Sequence, residues 1–109
     1  MPKRCVVLVT APDRRTGLRL ARALVAERLA ACVNLVGSLR SVYRWKGKVE
    51  EASEVLLLAK TRAALLPRLQ RRVKALHPCS VPEVLALPVA GGSPSYLSWL
   101  DAAADARPR

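Results

Sequence analysis

Phenylalanine is absent from the sequence, and aromatic residues make up only 4% of its 109 positions. The core must therefore be packed with Leu, Val and Ala, and functions that need platforms of aromatic rings are disfavoured. The three cysteines, Cys5, Cys32 and Cys79, form no Cys-x-x-Cys pair, which argues against a zinc ribbon or a disulfide framework. No apolar run exceeds five residues, whereas a membrane-spanning helix needs about 20. We therefore expect a cytoplasmic protein that does not enter a membrane.

Continuous apolar runs at residues 5–9 and 55–59 have the pattern of strands buried on both faces, which is typical of the middle of a sheet. Residues 84–89 predict a further strand. It belongs at an edge of the sheet, because Pro88 cannot donate a hydrogen bond to a neighbouring strand.

A long hairpin is predicted around the tight turn Lys46-Gly47, between Cys32–Trp45 and residues 48–61. Each of its strands has about 13 residues, against the usual five or six, so its tip should project beyond the helices. Projecting strands have unpaired edges. Association with other copies of the chain would satisfy them.

Three helices are predicted from apolar residues at helical spacing. The first follows Asp13, a typical N-cap residue. The second runs from about residue 63 to residue 76 and is stopped by Pro78. The third begins at Ser93-Pro94, an N-cap followed by the proline favoured in a first helical turn.

The elements together predict one α+β domain over residues 1–109, in the order strand, helix, strand, strand, helix, strand and helix. Two right-handed crossovers joined by a hairpin give a ferredoxin-like fold, βαββαβ plus a C-terminal helix, with the first and third strands in the middle. Because those strands are apolar on both faces, the sheet face away from the first two helices must also be covered. The third helix can cover part of it.

Four aromatic residues stand out on two exposed elements. Tyr43 and Trp45 point to the same face near the tip of the hairpin, and Tyr96 and Trp99 form a similar pair on the last helix. Such pairs are typical of an interface or the lip of a cleft, and ordinary packing across the sheet is an equal alternative.

Candidate polar residues lie where the predicted elements end. Lys60 closes one strand and Glu83 opens another, so the two would line a polar pocket or form a plain ion pair. His77 and Cys79 follow the second helix and have the chemistry to share a soft metal such as copper. The alternative is a histidine at the negative end of the helix dipole beside an inert thiol.

Lysine and arginine number 19 against eight acidic residues, and the net charge of +11 raises the question of a polyanionic partner such as nucleic acid. Basic stripes occur on the first two predicted helices, at Arg15, Arg19 and Arg22, and at Arg68, Arg71, Arg72 and Lys74. Solvated surfaces are the usual explanation. RNA-recognition domains of this topology stack bases on aromatic residues of the central strands, which are absent here. These observations disfavour nucleic acid as a partner.

Six short motifs occur in a characteristic order: VTAPD at residues 9–13, ERLAACVN at 27–34, YRWKGK at 43–48, KT at 60–61, HP at 77–78 with VPE at 81–83, and YLSWL at 96–100. In these motifs the chain resembles the CutA divalent-cation tolerance family over about residues 6–103. The resemblance implies a ferredoxin-like fold in a tight homotrimer, similar in architecture to the PII signalling proteins. It also implies a role linked to copper and other divalent ions.

By the same resemblance, the ligand-binding cleft lies between subunits and includes Tyr43, Trp45, Lys60 and Glu83. His77 lies close by. Family members usually have Tyr after His-Pro, and this chain has Cys79, a soft metal ligand. His77 and Cys79 are therefore the predicted metal ligands.

The favoured hypothesis is a non-enzymatic, homotrimeric cation-tolerance protein that needs no cofactor and binds copper, another divalent metal ion or a small ligand between subunits. One alternative is a basic nucleic-acid-binding module. The other is an enzyme that uses Lys60, Glu83 and His77.

Overall fold

Residues 3–107 are described by the computed structural model, so the first two and last two positions of the predicted domain 1–109 lie outside the described residues. The elements of residues 3–107 are, in chain order, β1 (Arg4–Ala11), α1 (Arg14–Ala26), β2 (Cys32–Trp45), β3 (Lys48–Arg62), a 3-10 turn (Ala63–Leu65), α2 (Leu66–Leu76), β4 (Leu85–Pro88) and α3 (Pro94–Ala103). None of these helices is long and apolar enough to cross a membrane.

The four strands form one antiparallel sheet in the order β2-β3-β1-β4. The ferredoxin-like prediction, with the first and third strands in the middle, is confirmed. β4 is shorter than predicted, although the Val89 N–H continues the pairing by donating to the Arg4 carbonyl at 3.0 Å. Pro88 is accommodated at the edge, as its missing N–H requires.

Two of the predicted helix starts are confirmed by their caps. The Asp13 carboxylate accepts the Thr16 N–H at 2.7 Å, and this bond lowers the pKa of Asp13. The Ser93 hydroxyl accepts the Tyr96 N–H at 3.3 Å. In both cases a short polar side chain satisfies an amide that has no partner inside the helix.

The second helix begins later than predicted. Residues 63–65 form a 3-10 turn, and the α-helix starts at Leu66. The reason is Pro67, which has no N–H to donate to the carbonyl of Ala63 four residues earlier. The predicted stop is confirmed, since α2 ends at Leu76 just before His77-Pro78.

The core lies between α1, α2 and one face of the sheet. Side chains alternate between buried and partly exposed along β1 and along the second half of β3. The fully buried members of this layer include Val7, Leu20, Leu57 and Leu69. Thr61 is also buried, and its hydroxyl donates to the Leu29 carbonyl at 2.7 Å.

The predicted hairpin is present, and its outer part forms a projecting arm, defined here as residues 38–54. Lys46 and Gly47 have φ values of 50° and 78°, the pattern of a type I′ turn. A β-bulge between Gly37 and Leu39 marks where the arm begins. The remainder of the sheet, with α1 and α2, is called the base. The radius of gyration is 14.3 Å, against about 13 Å for a compact chain of this length, because of the arm.

The sheet face opposite α1 and α2, called the open sheet face, is apolar and largely uncovered. The register places Leu85 and Leu87 of β4 beside Leu8 and Val6 of β1 on this face. The expectation that strands one and three are buried on both faces is therefore wrong within one chain. α3 packs at one end of this face, where Asp101 pairs with Arg4 at 2.6 Å, so it covers part of the face as predicted.

Candidate functional site

An open groove of about 740 Å³ lies where the arm meets the base. It is bordered by the end of β1, by the arm and by the loop of residues 77–84, which joins α2 to β4. Five of the six predicted site residues line it: Tyr43, Trp45, His77, Cys79 and Glu83. The groove is large enough for a small ligand or a hydrated cation.

The arm contributes one row of side chains to this groove. Tyr43 and Trp45 are two residues apart on β2 and therefore share a face of the arm. Both remain more than 40% exposed, which is unusual for rings that serve only to pack. The Lys46 ammonium lies 5.9 Å from the centre of the Trp45 ring, within range of a cation–π contact.

His77 holds the loop to the base through both of its ring nitrogens. Nδ1 accepts the Cys79 N–H at 3.0 Å, so Nδ1 carries no proton. Nε2 lies 2.8 Å from the Thr10 carbonyl oxygen, which can only accept, so Nε2 is the protonated nitrogen. The two partners thus fix a neutral tautomer. A metal ion could bind His77 only by displacing one of these bonds.

Two carboxylates give the groove a negative character in a strongly basic protein. Glu54 projects from the arm and Glu83 from the end of the loop. Partial burial raises the pKa of Glu83, and the neighbouring charge of Glu54 raises it further. A bound cation would relieve this repulsion, so the arrangement favours a cationic ligand.

The three cysteines have different environments. Cys79 is exposed at the groove, Cys32 is partly exposed on β2, and Cys5 is in the core. Burial raises the pKa of the Cys5 thiol, which makes Cys5 unreactive. Within residues 3–107, no three His, Cys, Asp or Glu side chains cluster closely enough to hold a metal ion. A metal bound in the groove would therefore need ligands from elsewhere.

Lys60 is the predicted site residue that does not line the groove. It lies six residues beyond Glu54 on β3, a distance of about 20 Å along an extended strand. Its ammonium lies 5.8 Å from the centre of the Tyr96 ring on α3. One chain therefore presents two separated sets of groups, the groove at one end of the sheet and Lys60 with Tyr96 at the other.

Seven groove residues were not predicted as site residues: Thr10, Ser41, Val42, Glu54, Ser80, Val81 and Pro82. Glu54 is one of several acidic residues on the arm, and nothing in its neighbours distinguishes it. Thr10 contributes its carbonyl group, which every residue possesses. A signal for Glu54 was available from strand register, since it shares a sheet face with Tyr43.

Comparisons with known proteins agree with this architecture. The family model described as CutA1 divalent ion tolerance protein matches residues 5–103. The chain is 56% identical over 95 residues to the "Divalent-cation tolerance protein CutA" of Thermus thermophilus, covering 87% of this chain and 92% of that protein. It is 50% identical over 92 residues to the human "Protein CutA", covering 84% of this chain and 51% of the human protein.

Solved structures agree as well. A divalent cation tolerance protein from Thermus thermophilus superposes with a TM-score of 0.89 at 54% identity, covering 91% of this chain and 96% of that one. For CutA from Xylella fastidiosa the TM-score is 0.91 at 40% identity, with 94% and 99% covered. The fold and the groove thus define a small ferredoxin-like α+β protein with a surface site. The chain belongs to the CutA family of divalent-cation tolerance proteins.

The relatives differ in length. The chain spans nearly all of the Thermus protein but about half of the plant, mouse and human proteins that it matches. Their shared part is therefore the domain described here.

Proposed function

We propose that the protein is a non-enzymatic homotrimer that contributes to divalent-cation tolerance or signalling by binding copper, another divalent metal ion or a small ligand between subunits. The observation that carries this proposal is the separation of the groove from Lys60 within one chain. A site that combines the two sets of groups needs a second subunit.

The open sheet face supports association. Leu85 is 56% exposed, and Val36 and Leu87 are about half exposed, on a face whose other rows are also apolar. A contiguous apolar face of this kind is uncommon on a soluble monomer and is typical of an interface. Three copies arranged around a three-fold axis would bury it in a closed assembly.

The same assembly would complete the ligand site. The arm projects beyond its own base, so its tip can reach a neighbouring copy. There it would meet the end of the sheet that holds Lys60 and Tyr96. The predicted cleft of Tyr43, Trp45, Lys60 and Glu83 then consists of groups from two subunits, with an ammonium, two rings and a carboxylate around one cavity.

Metal binding is supported by the chemistry of the groove. Glu54 and Glu83 attract a cation, and the exposed Cys79 thiol is a soft ligand suited to copper. His77 can join Cys79 only if one of its ring nitrogens gives up its present hydrogen bond. We therefore expect Cys79 to contribute more to affinity than His77.

A non-enzymatic role and a cytoplasmic location complete the proposal. Both ring nitrogens of His77 are held by main-chain hydrogen bonds, so the imidazole is not free to act as a general acid or base beside Lys60 and Glu83. Three free thiols favour a reducing compartment such as the cytosol. Among the relatives, two are called chloroplastic and another periplasmic.

Light scattering tests the assembly. The protein should elute with a mass about three times its 11.9 kDa chain mass. Leu58→Glu on the open sheet face should dissociate it, whereas Gln70→Glu on the exposed side of α2 introduces the same charge and should leave the mass unchanged. Circular dichroism would establish that both variants are folded. A wild-type particle of one chain mass would refute the trimer.

Copper titration tests the site. Cys79→Ser should weaken Cu(I) binding by at least about tenfold, since it replaces a soft ligand with a hard one. Cys32→Ser removes a partly exposed thiol outside the groove and should leave the affinity unchanged. His77→Ala should have the smaller effect of the two groove variants. Equal affinity of Cys79→Ser and the wild type would exclude Cys79 as a ligand.

A further inference from the structure

Positive charge is unevenly distributed over the molecule. The two long helices with their flanking loops, residues 12–30 and 63–76, contain nine basic and two acidic residues, a net charge of +7. We call this surface the helix layer. The arm contains four basic and three acidic residues, a net charge of +1. A general excess of arginine would charge both regions alike, so the helix layer needs its own explanation.

Most cations of the helix layer are not paired with a carboxylate. Among residues 3–107, its one ion pair joins Arg72 to Glu27 at 2.9 Å. Arg19, Arg28 and Arg68 each donate an N–H to main-chain carbonyl oxygens at 2.6 to 3.1 Å. A carbonyl carries no net charge, but Leu76 and Ala102 lie in the last turns of α2 and α3, so these bonds fix the guanidinium groups and offset their charge only in part. The remaining N–H groups of each guanidinium stay available to a ligand.

The chemistry of the layer selects among polyanions. Eight of its nine basic residues are arginines, whose planar guanidinium groups bind phosphate through two hydrogen bonds. It contains no aromatic residue on which an unpaired base could stack, which disfavours single strands. Its apolar side chains pack into the core, and among residues 3–107 Val25 is its one large exposed hydrophobic residue. Insertion into a membrane surface is therefore disfavoured too.

We propose that the helix layer binds the phosphate backbone of double-stranded nucleic acid without reading its sequence. α1 is about 20 Å long, enough to contact several phosphates along one groove of a duplex. The absence of aromatic residues from the central β-strands argues only against the binding of single-stranded nucleic acid on the sheet. The surface is distinct from the groove and lies opposite the open sheet face, so cation binding and assembly leave it free.

Fluorescence anisotropy with a labelled duplex of about 30 base pairs, at about 50 to 200 mM salt, tests the proposal. The test variant combines Arg15→Gln, Arg22→Gln and Arg71→Gln, three exposed residues without side-chain hydrogen bonds among residues 3–107. The control combines Arg44→Gln, Lys46→Gln and Lys48→Gln on the arm and has the same net charge.

The test variant should bind the duplex at least about tenfold more weakly at about 100 mM salt. The slope of log affinity against log salt concentration should be less negative by about 2.7, about 0.9 for each of the three removed charges. The control should bind like the wild type. Equal losses in both variants would mean that net charge alone acts, and would overturn the proposal. Three other results would also overturn the proposal: no binding to the duplex, tighter binding to single-stranded nucleic acid than to the duplex, or binding to vesicles of anionic lipid but not to the duplex.

Discussion

The base and the arm share two strands but differ in how those strands are held. Along β3, every second side chain from Val55 to Thr61 is buried under α1 and α2, whereas no residue of the arm is buried. The main-chain pairing is the same in both halves. The base is therefore stabilised by its own core, while the arm depends on backbone hydrogen bonds and, in the proposed trimer, on contacts with another copy of the chain.

A pair of truncations should show this difference most strongly. Leu57→Ala empties a fully buried position in the base and should cost about 2 to 5 kcal/mol of unfolding free energy. Val49→Ala, on an arm residue that is 65% exposed, should change it by less than about 0.5 kcal/mol. Urea unfolding at a fixed protein concentration measures both. A large loss for Val49→Ala would show that this face of the arm is covered in the assembly.

Gly17 in the base and Gly47 in the arm are needed for different physical reasons. A Cβ at Gly17 would lie 2.9 Å from Val55, 3.2 Å from Leu35 and 3.3 Å from Leu57. With a side chain at this position, α1 could not approach the sheet as closely. We expect Gly17→Ala to cost about 1 to 3 kcal/mol by overpacking, more than the helix propensity it gains. Gly47 faces open space at φ +78°, and Gly47→Ala should cost about 1 kcal/mol through backbone strain alone.

Thermal unfolding of the two glycine variants distinguishes these causes. Gly17→Ser should be at least as damaging as Gly17→Ala, because any larger side chain meets the same packed neighbours. Gly47→Asn should recover most of the loss of Gly47→Ala, since asparagine tolerates positive φ. Failure of that recovery would argue against a type I′ turn at the tip of the arm.

The smallest expected effect concerns Glu83, at the boundary between base and arm. Its raised pKa means that ionisation is less favourable in the folded protein. Its contribution to stability is therefore present in acid and is lost as the pH rises through the raised pKa. Glu83→Gln should raise the melting temperature slightly at pH 7, and the gain should disappear near pH 4.

Glu50→Gln on the arm is the matched control for Glu83→Gln, because it changes the net charge equally. Melting temperatures should be measured with a chelator present, so that bound cations do not mask the repulsion from Glu54. A gain at pH 7 that equals that of the control would mean that net charge, not the groove, is responsible.

Local chemistry was sufficient to predict most of the fold. Apolar runs located β1 and the second half of β3, Pro88 placed β4 at an edge, and Lys46-Gly47 located the turn. The start of α2 was predicted three residues too early, because the effect of Pro67 on the preceding turn was underestimated.

The candidate site was predicted in part. Tyr43, Trp45 and Glu83 do border one groove, together with His77 and Cys79. Glu54 was missed because its role depends on strand register, which joins it to a loop almost thirty residues away.

Periodicity, proline and glycine act on the chain locally, so the sequence alone was enough to predict the elements and the strand order. The family was indicated separately, by the resemblance of six short motifs. The tertiary structure decided which side chains meet. It fixed the neutral tautomer of His77 through Thr10 and Cys79, and it separated Lys60 from the groove. These outcomes depend on distances between segments that are remote in sequence, and such distances exist only once the sheet has formed.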